Sequence, residues 1–263
     1  MGRKLLALDL DGTTLSDDSR MSPYTLDMLE KAKAAGCVIC FVTGRKDVEI
    51  GAVIDQCYVA DYLILNNGGK TIRLPERSIL AHKIIEQELA RKVINFALEN
   101  QVLLYVCCPN YTGINFTSEN TREYEEIVGY SLSRYQSVQD VPIKEIEGFV
   151  ANVNHDRIID FIDRENLPLR YVQAEESTFD IVSLGVSKWG AVKELSQILG
   201  ISVKDIVSAG NYMNDIDLIR GAGLGVAVKN ALEEVKQAAD YVTERTNDEG
   251  AVGELIEKFV LNI

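Results

Sequence analysis

The chain alternates short apolar runs with longer amphipathic stretches. In its first third, "KLLALDL" (4–10), "CVICFV" (37–42) and "DYLILNN" (61–67) are almost continuously apolar, the pattern of strands buried on both faces of a parallel sheet. Between them the spacing is helical. One helix opens at Ser22 as N-cap with Pro23 in the first helical position and stops at Gly36. "RKDVEIGAVIDQC" (45–57) reads as a second. Such alternation is that of βαβ units.

From about residue 82 the character changes. "KIIEQELARKVINFALENQ" is an amphipathic helix, and "VLLYVCC" and "YTGINFT" read as strands around a Pro109-Asn110 turn. The mixture continues to "RYVQAEESTFDIVSLG". After Gly185 the first pattern resumes: helix "KWGAVKELSQIL" closed by Gly200, strand "DIVSAG", helix "NDIDLIRGA", strand "GLGVAV" and helix "ALEEVKQAA". Residues 186–230 thus supply single βα units that extend a sheet already begun, which favours an interrupted core over two tandem domains. The expected fold is α/β: a Rossmann-like three-layer core with a mainly parallel sheet (residues 1–81 and 183–263) and an inserted α+β domain (82–182).

Composition narrows the function. The longest apolar runs are about five to eight residues, far short of the roughly 20 that cross a bilayer. "MGRKLLALDLDG" turns acidic too early for a signal peptide, and Leu6 breaks a myristoylation signal. A cytoplasmic protein with no membrane partner is expected. The net charge of −13 argues against a nucleic-acid partner, and it means that an anionic ligand needs a local positive site, a metal ion or a placed lysine. Cys37 and Cys40 form a CxxC inside a buried strand, so a core role is expected rather than redox or zinc chemistry. The two histidines, His82 and His155, lack metal-ligand spacing. Oligomeric state is not legible.

The most specific signal is "LDLDGTT" (8–14). Side chains two apart on a strand point the same way, so Asp9 and Asp11 arrive together at the sheet's carboxyl edge, where open α/β folds bind ligands. Two close carboxylates must share a proton or bind a cation. Asp9 can then attack phosphorus while a protonated Asp11 serves the leaving oxygen, and Mg²⁺ suits such hard oxygen donors. "FVTGR" (41–45) offers the Thr43 hydroxyl and backbone N–H groups to an anion. Lys188 opens a helix in "GVSKWG", and "GNYMND" brings Asn211, Asn214 and Asp215 to a further strand end.

Four strand-end motifs in this order resemble the haloacid dehalogenase superfamily of phosphohydrolases. More narrowly the chain is similar to the Cof-type subfamily, whose α/β cap is inserted between the second and third motifs. "NNGG" (66–69) and "NDEGAV" near the end extend the likeness through the whole chain. The resemblance implies a Mg²⁺-dependent phosphatase of a small phosphorylated metabolite, with a cap that closes over the site and chooses among sugar phosphates first and nucleotides or flavin precursors second. It makes Asp9 the nucleophile and Asp11 the acid/base. Leu10, Thr43, Gly44, Lys188 and Asn214 match phosphate-holding positions, and Lys188 also pairs with the nucleophile. Asp9, Asp11, Asn211 and Asp215 match the metal site.

Asn211 departs from that pattern, which has a metal-binding aspartate there. Three readings stay open: an enzyme with a weaker metal site, a phospho-ligand-binding protein that has lost turnover, or a residue placed to trap a complex. The retention of Asp9, Asp11, Thr43, Lys188 and Asp215 favours the first. A phosphomutase would use the same nucleophile. In the inserted domain Tyr111, Asn115, Glu119 and Arg122 are polar or aromatic near a strand end, and nothing in the sequence selects one of them.

Overall fold

A computed structural model describes residues 4–51, 53–119, 121–175 and 177–261. In chain order the strands are β1 (Leu5–Leu8), β2 (Val38–Val42), β3 (Tyr62–Leu65), β4 (Lys70–Arg73), β5 (Ser78–His82), β6 (Leu104–Cys108), β7 (Tyr111–Ile114), β8 (Ser133–Arg134), β9 (Gly148–Ala151), β10 (Leu169–Glu175), β11 (Thr178–Ser183), β12 (Ile206–Gly210), β13 (Leu224–Ala227) and β14 (Tyr241–Val242). The helices are α1 (Pro23–Ala34), α2 (Asp47–Ile50), α3 (Gln87–Glu99), α4 (Thr121–Val128), α5 (His155–Arg164), α6 (Lys188–Leu199), α7 (Ile216–Gly221), α8 (Glu233–Ala238) and α9 (Ala251–Ile256). No described helix is long and apolar enough to cross a membrane.

Two compact units emerge: Met1–Gly44, Val53–His82 and Ser187–Ile263 form one, and Arg45–Ala52 with Lys83–Val186 the other. The first holds a sheet in the order β14-β13-β12-β1-β2-β3-β4-β5. It is parallel from β14 to β3, and β4 and β5 add an antiparallel hairpin. All residues of β1 and β2 are buried, which is why these strands read as continuous apolar runs. Leu5, Ala7, Cys40 and Ile64 pack on one face with Ala191, Val192, Leu195 and Leu218 from α6 and α7. Cys40 is thus a free core thiol, and burial pushes it well above the ordinary range. Trp189 packs against the same cluster.

From β1 the chain runs outward through β2 and β3 on one side, and it returns to β1's other side with β12. That reversal of direction is a switch point, where the loops leaving neighbouring strand ends diverge and open a crevice. The loops after β1 and β12 carry "DLDGTT" and "NYMND".

The inserted unit has its own sheet, β10-β11-β9-β6-β7-β8, antiparallel except where β7 meets β8. Val93, Ile94 and Ala97 of α3 and Ile158 and Ile162 of α5 cover one face of it around Phe149. One expected element fails. Instead of a single helix over 45–57 there is the one-turn α2, followed by tighter helical turns over Ile54–Val59. Arg45–Ala52 belongs to the inserted unit and Val53 onward to the core, so no one apolar stripe serves the segment.

Candidate active site

Asp9 follows β1 directly, and its N–H donates to the Ala209 carbonyl of β12 at 3.0 Å. The chain then turns over Leu10–Thr14, with the Leu15 N–H closing on the Leu10 carbonyl at 2.9 Å. Gly12 makes the turn possible at φ +67°. A Cβ there would also lie 2.4 Å from Asn211 Nδ2. Thr14 Oγ1 donates to the Asp9 carbonyl at 2.5 Å and Thr13 Oγ1 to Asn211 Oδ1 at 3.2 Å. Asp9 is buried, whereas Asp11 stands exposed two residues on.

Lys188 sits at the first position of α6, whose N-cap Ser187 accepts from the Gly190 N–H at 2.9 Å. Its side chain is only 1% exposed. Nζ donates to Asp9 Oδ1 at 2.7 Å and to Asp215 Oδ1 at 2.6 Å. Asp215 is fixed further, because its Oδ2 accepts the backbone N–H groups of Asn211 and Tyr212 at 2.9 and 3.1 Å. Burial first, then the charge of Asp215, push the Asp9 carboxyl up to about 7, against the pull of Lys188. Burial works against charge on Lys188, but the two carboxylates outweigh it and hold the ammonium above its ordinary value. Two buried carboxylates thus share one cation.

On the other side of β1, Thr43 directly follows β2 and is almost fully buried, its N–H on the Ile64 carbonyl at 2.8 Å and its carbonyl accepting from the Asn67 N–H at 3.0 Å. Gly44 follows, and a Cβ there would lie 3.3 Å from Asn67 Oδ1 and 3.7 Å from Asn214 Nδ2. Asn214 Nδ2 donates to Asn67 Oδ1 at 3.0 Å. Asn67 therefore links the loops after β3 and β12, a role its place in "NNGG" did not reveal. Leu10 has its side chain buried, which leaves its backbone for any phosphate contact.

The structure so arranges Lys188 between Asp9 and Asp215, and Thr43, Gly44, Asn67 and Asn214 around one another. Among the described residues, no three His, Cys, Asp or Glu side chains cluster as a metal cage. The oxygens that could hold a cation are mixed: the Asp9 carboxylate, the Asp11 backbone, Asn211 Oδ1 and Asp215. All are hard oxygens, as Mg²⁺ requires, and the excess negative charge around Lys188 fits a dication. Asp215 already has both oxygens engaged by Lys188 and backbone N–H groups.

In the inserted unit Asn115, Arg122 and Tyr111 have structural partners. Asn115 accepts from the Leu104 N–H and donates to the Val102 carbonyl. Arg122 faces Glu126 at 3.4 Å on an exposed helix surface. Tyr111 packs against the Phe149 cluster, and Glu119 is exposed. His155 stacks on Phe179 with centroids 4.8 Å apart, and His82 ends β5 in solvent. What the sequence concealed there is a buried charge cluster: Lys46 Nζ lies 3.5 Å from Asp180 and 3.8 Å from Glu49, and Tyr124 donates to Glu49 at 2.5 Å. Its members are scattered from residue 46 to residue 180, so no local pattern announces it.

Comparison with known proteins identifies the family and the fold. A model of the haloacid dehalogenase-like hydrolases matches residues 6–256. The phosphatase YwpJ of Bacillus subtilis is 28% identical over 97% of this chain and 99% of its own length. The 5-amino-6-(5-phospho-D-ribitylamino)uracil phosphatase YcsE of the same organism is 24% identical over 98% and 96%. Among solved structures, the superfamily phosphatase BT1666 of Bacteroides thetaiotaomicron has a TM-score of 0.85 at 23% identity, covering 98% of this chain and 95% of that one. The subclass IIB sugar phosphatase BT4131 has a TM-score of 0.84 at 23% identity, covering 97% and 98%. With strands, switch point and buried Asp9–Lys188–Asp215 group in place, the chain belongs to the haloacid dehalogenase-like hydrolases.

Proposed function

We propose that this protein is a phosphatase that hydrolyses a small phosphorylated metabolite, a sugar phosphate before other classes, by way of a phosphoryl group carried on Asp9. The observation that carries the reading is Lys188 Nζ, buried and held 2.7 Å from Asp9 Oδ1. That contact pins one oxygen of the carboxylate, Oδ1, and so sets the direction of the whole group toward an incoming phosphoryl. Asp9 Oδ2 forms the bond to phosphorus as the ester P–O bond breaks, and Asp11 gives its proton to the departing oxygen. Water then attacks the aspartyl-phosphate, its proton passing to Asp11, and Asp9 is regenerated.

Lys188, the Thr43 hydroxyl and the Gly44 N–H hold the phosphoryl oxygens, whose charge is most of what the site must stabilise. Asp9, the Asp11 carbonyl, Asn211 and Asp215 would hold Mg²⁺, which supplies further positive charge to the same oxygens. Sugar phosphates lead because BT4131 is a sugar phosphatase and YcsE acts on a phosphorylated ribityl chain. In this reading the core unit performs the chemistry and the inserted unit chooses the substrate.

The test is phosphate release from a panel of sugar phosphates across a Mg²⁺ titration, with Asn211→Asp and Asp9→Asn alongside. Turnover by the parent, none by Asp9→Asn, and a lower Mg²⁺ requirement in Asn211→Asp are expected. A parent that is inert while Asn211→Asp works would make the protein a phospho-ligand binder. Isomerisation of a sugar phosphate without free phosphate would make it a mutase.

A further inference from the structure

The turn that carries Asp11 is gripped from outside by two asparagines that no step above uses. Asn230 Nδ2 donates to the Gly12 carbonyl at 2.8 Å, and its Oδ1 accepts the Asn247 N–H at 2.9 Å. Asn247 is itself only 5% exposed. Its Nδ2 donates to the Leu15 carbonyl at 3.1 Å and to Asp17 Oδ1 at 3.0 Å. The Asp17 N–H in turn donates to Asp248 Oδ1 at 2.9 Å. These contacts reach the middle of the turn at Gly12, the residue after Asp11, and its far end at Leu15, whose N–H closes it.

The two asparagines arrive from the loops after β13 and β14, on the strands beyond β12. The residue type matters. A carboxamide both donates and accepts, so Asn230 can join a carbonyl to an N–H, which neither a carboxylate nor an aliphatic side chain could do. Asp11 lies outside the β1 ladder and is exposed, so this turn carries its backbone and sets where its carboxyl can reach. Proton transfer needs hydrogen-bond reach to the ester oxygen, and a displacement of about 1 Å can cost on the order of a hundredfold in rate.

We infer that Asn230 and Asn247 are positioning residues for Asp11, a carboxamide relay that holds its turn for proton transfer to and from the substrate oxygen. The inference rests on the phosphatase reading. Asn230 is exposed, so Asn230→Ala and the near-isosteric Asn230→Asp, which keeps the acceptor and removes the donor, spare the core. Two quantities are read in each: hydrogen exchange of the amides of residues 11–15, and single-turnover cleavage of p-nitrophenyl phosphate and of the sugar phosphate that the parent cleaves best. The nitrophenolate leaves without a proton; the sugar alkoxide does not.

Both variants should exchange the Leu15 amide about tenfold faster with β1 unchanged, and lose about tenfold on the alkyl ester with less than about twofold on the aryl ester. Unchanged exchange, or equal loss on the two esters, overturns the inference while the phosphatase reading stands. A parent that cleaves neither ester defeats the phosphatase reading and this inference with it.

Discussion

At the scale of single residues the site is an unequal sharing of charge. Lys188 is the one cation in a buried group with Asp9 and Asp215, which are 4% and 0% exposed. Removing one partner of such a group leaves a buried charge uncompensated, which costs about 3–5 kcal/mol where the partners are fully desolvated. Lys188→Met should therefore unfold at lower urea, by about 3 kcal/mol, as well as lose turnover. Asp215→Asn keeps an oxygen for the Asn211 and Tyr212 N–H groups, so Lys188→Met/Asp215→Asn should be more stable than Lys188→Met alone. A double-mutant cycle decides: strict additivity of the two losses would show that the ion pair does not organise this core.

At the scale of elements, the placement of α6 decides where that lysine stands. Gly68, after β3, adopts φ +103°, and a Cβ there would fall 2.1 Å from the carbonyl oxygen of Ser187, the N-cap of α6. Gly68→Ala must push the start of α6 away, and Lys188 with it. Gly36 is the control: its φ is +88° but nothing lies within 4 Å of the Cβ position. Both changes carry the backbone strain of about 1–3 kcal/mol, measured by thermal or urea unfolding. Only Gly68→Ala should also cut the rate of phosphate release, on the order of a hundredfold for a displacement near 1 Å. Equal activity in the two variants would free α6 from this contact.

Legibility follows the same division. β1, α1, β2, β3, α6 and β12 could be read because each is buried or capped in a way that one stretch of sequence records: the runs of Leu and Val, Ser22 with Pro23, and Gly200 at φ +66° after α6. Asp9, Lys188 and Asp215 were marked by their places at strand ends and a helix start. The hidden parts are those made by distant partners. Asn67 meets Asn214 across 147 residues and Asn230 meets Gly12 across 218. The helix expected over 45–57 broke for a similar reason, since its two halves pack in different units.

At the scale of the whole molecule, each unit has an apolar core built from its own parts of the chain. The cluster around Phe149 draws on residues 85–181, and the cluster around Ile64 on residues 5–64 and 191–218. Each has its own sheet and its own helices, so each has the means to unfold as a unit. The single tryptophan, Trp189, reports on the core unit. Phe149 is fully buried in the other, and Phe149→Ala should cost that unit about 3–5 kcal/mol through lost burial and the cavity left behind. In urea the far-UV signal of the variant should then begin to fall well before its Trp189 fluorescence, whose midpoint should match the parent's. If fluorescence and far-UV transitions move together by the same amount, the two cores unfold as one cooperative body, and the stability of the catalytic group is set as much by the inserted unit as by the sheet that carries Asp9.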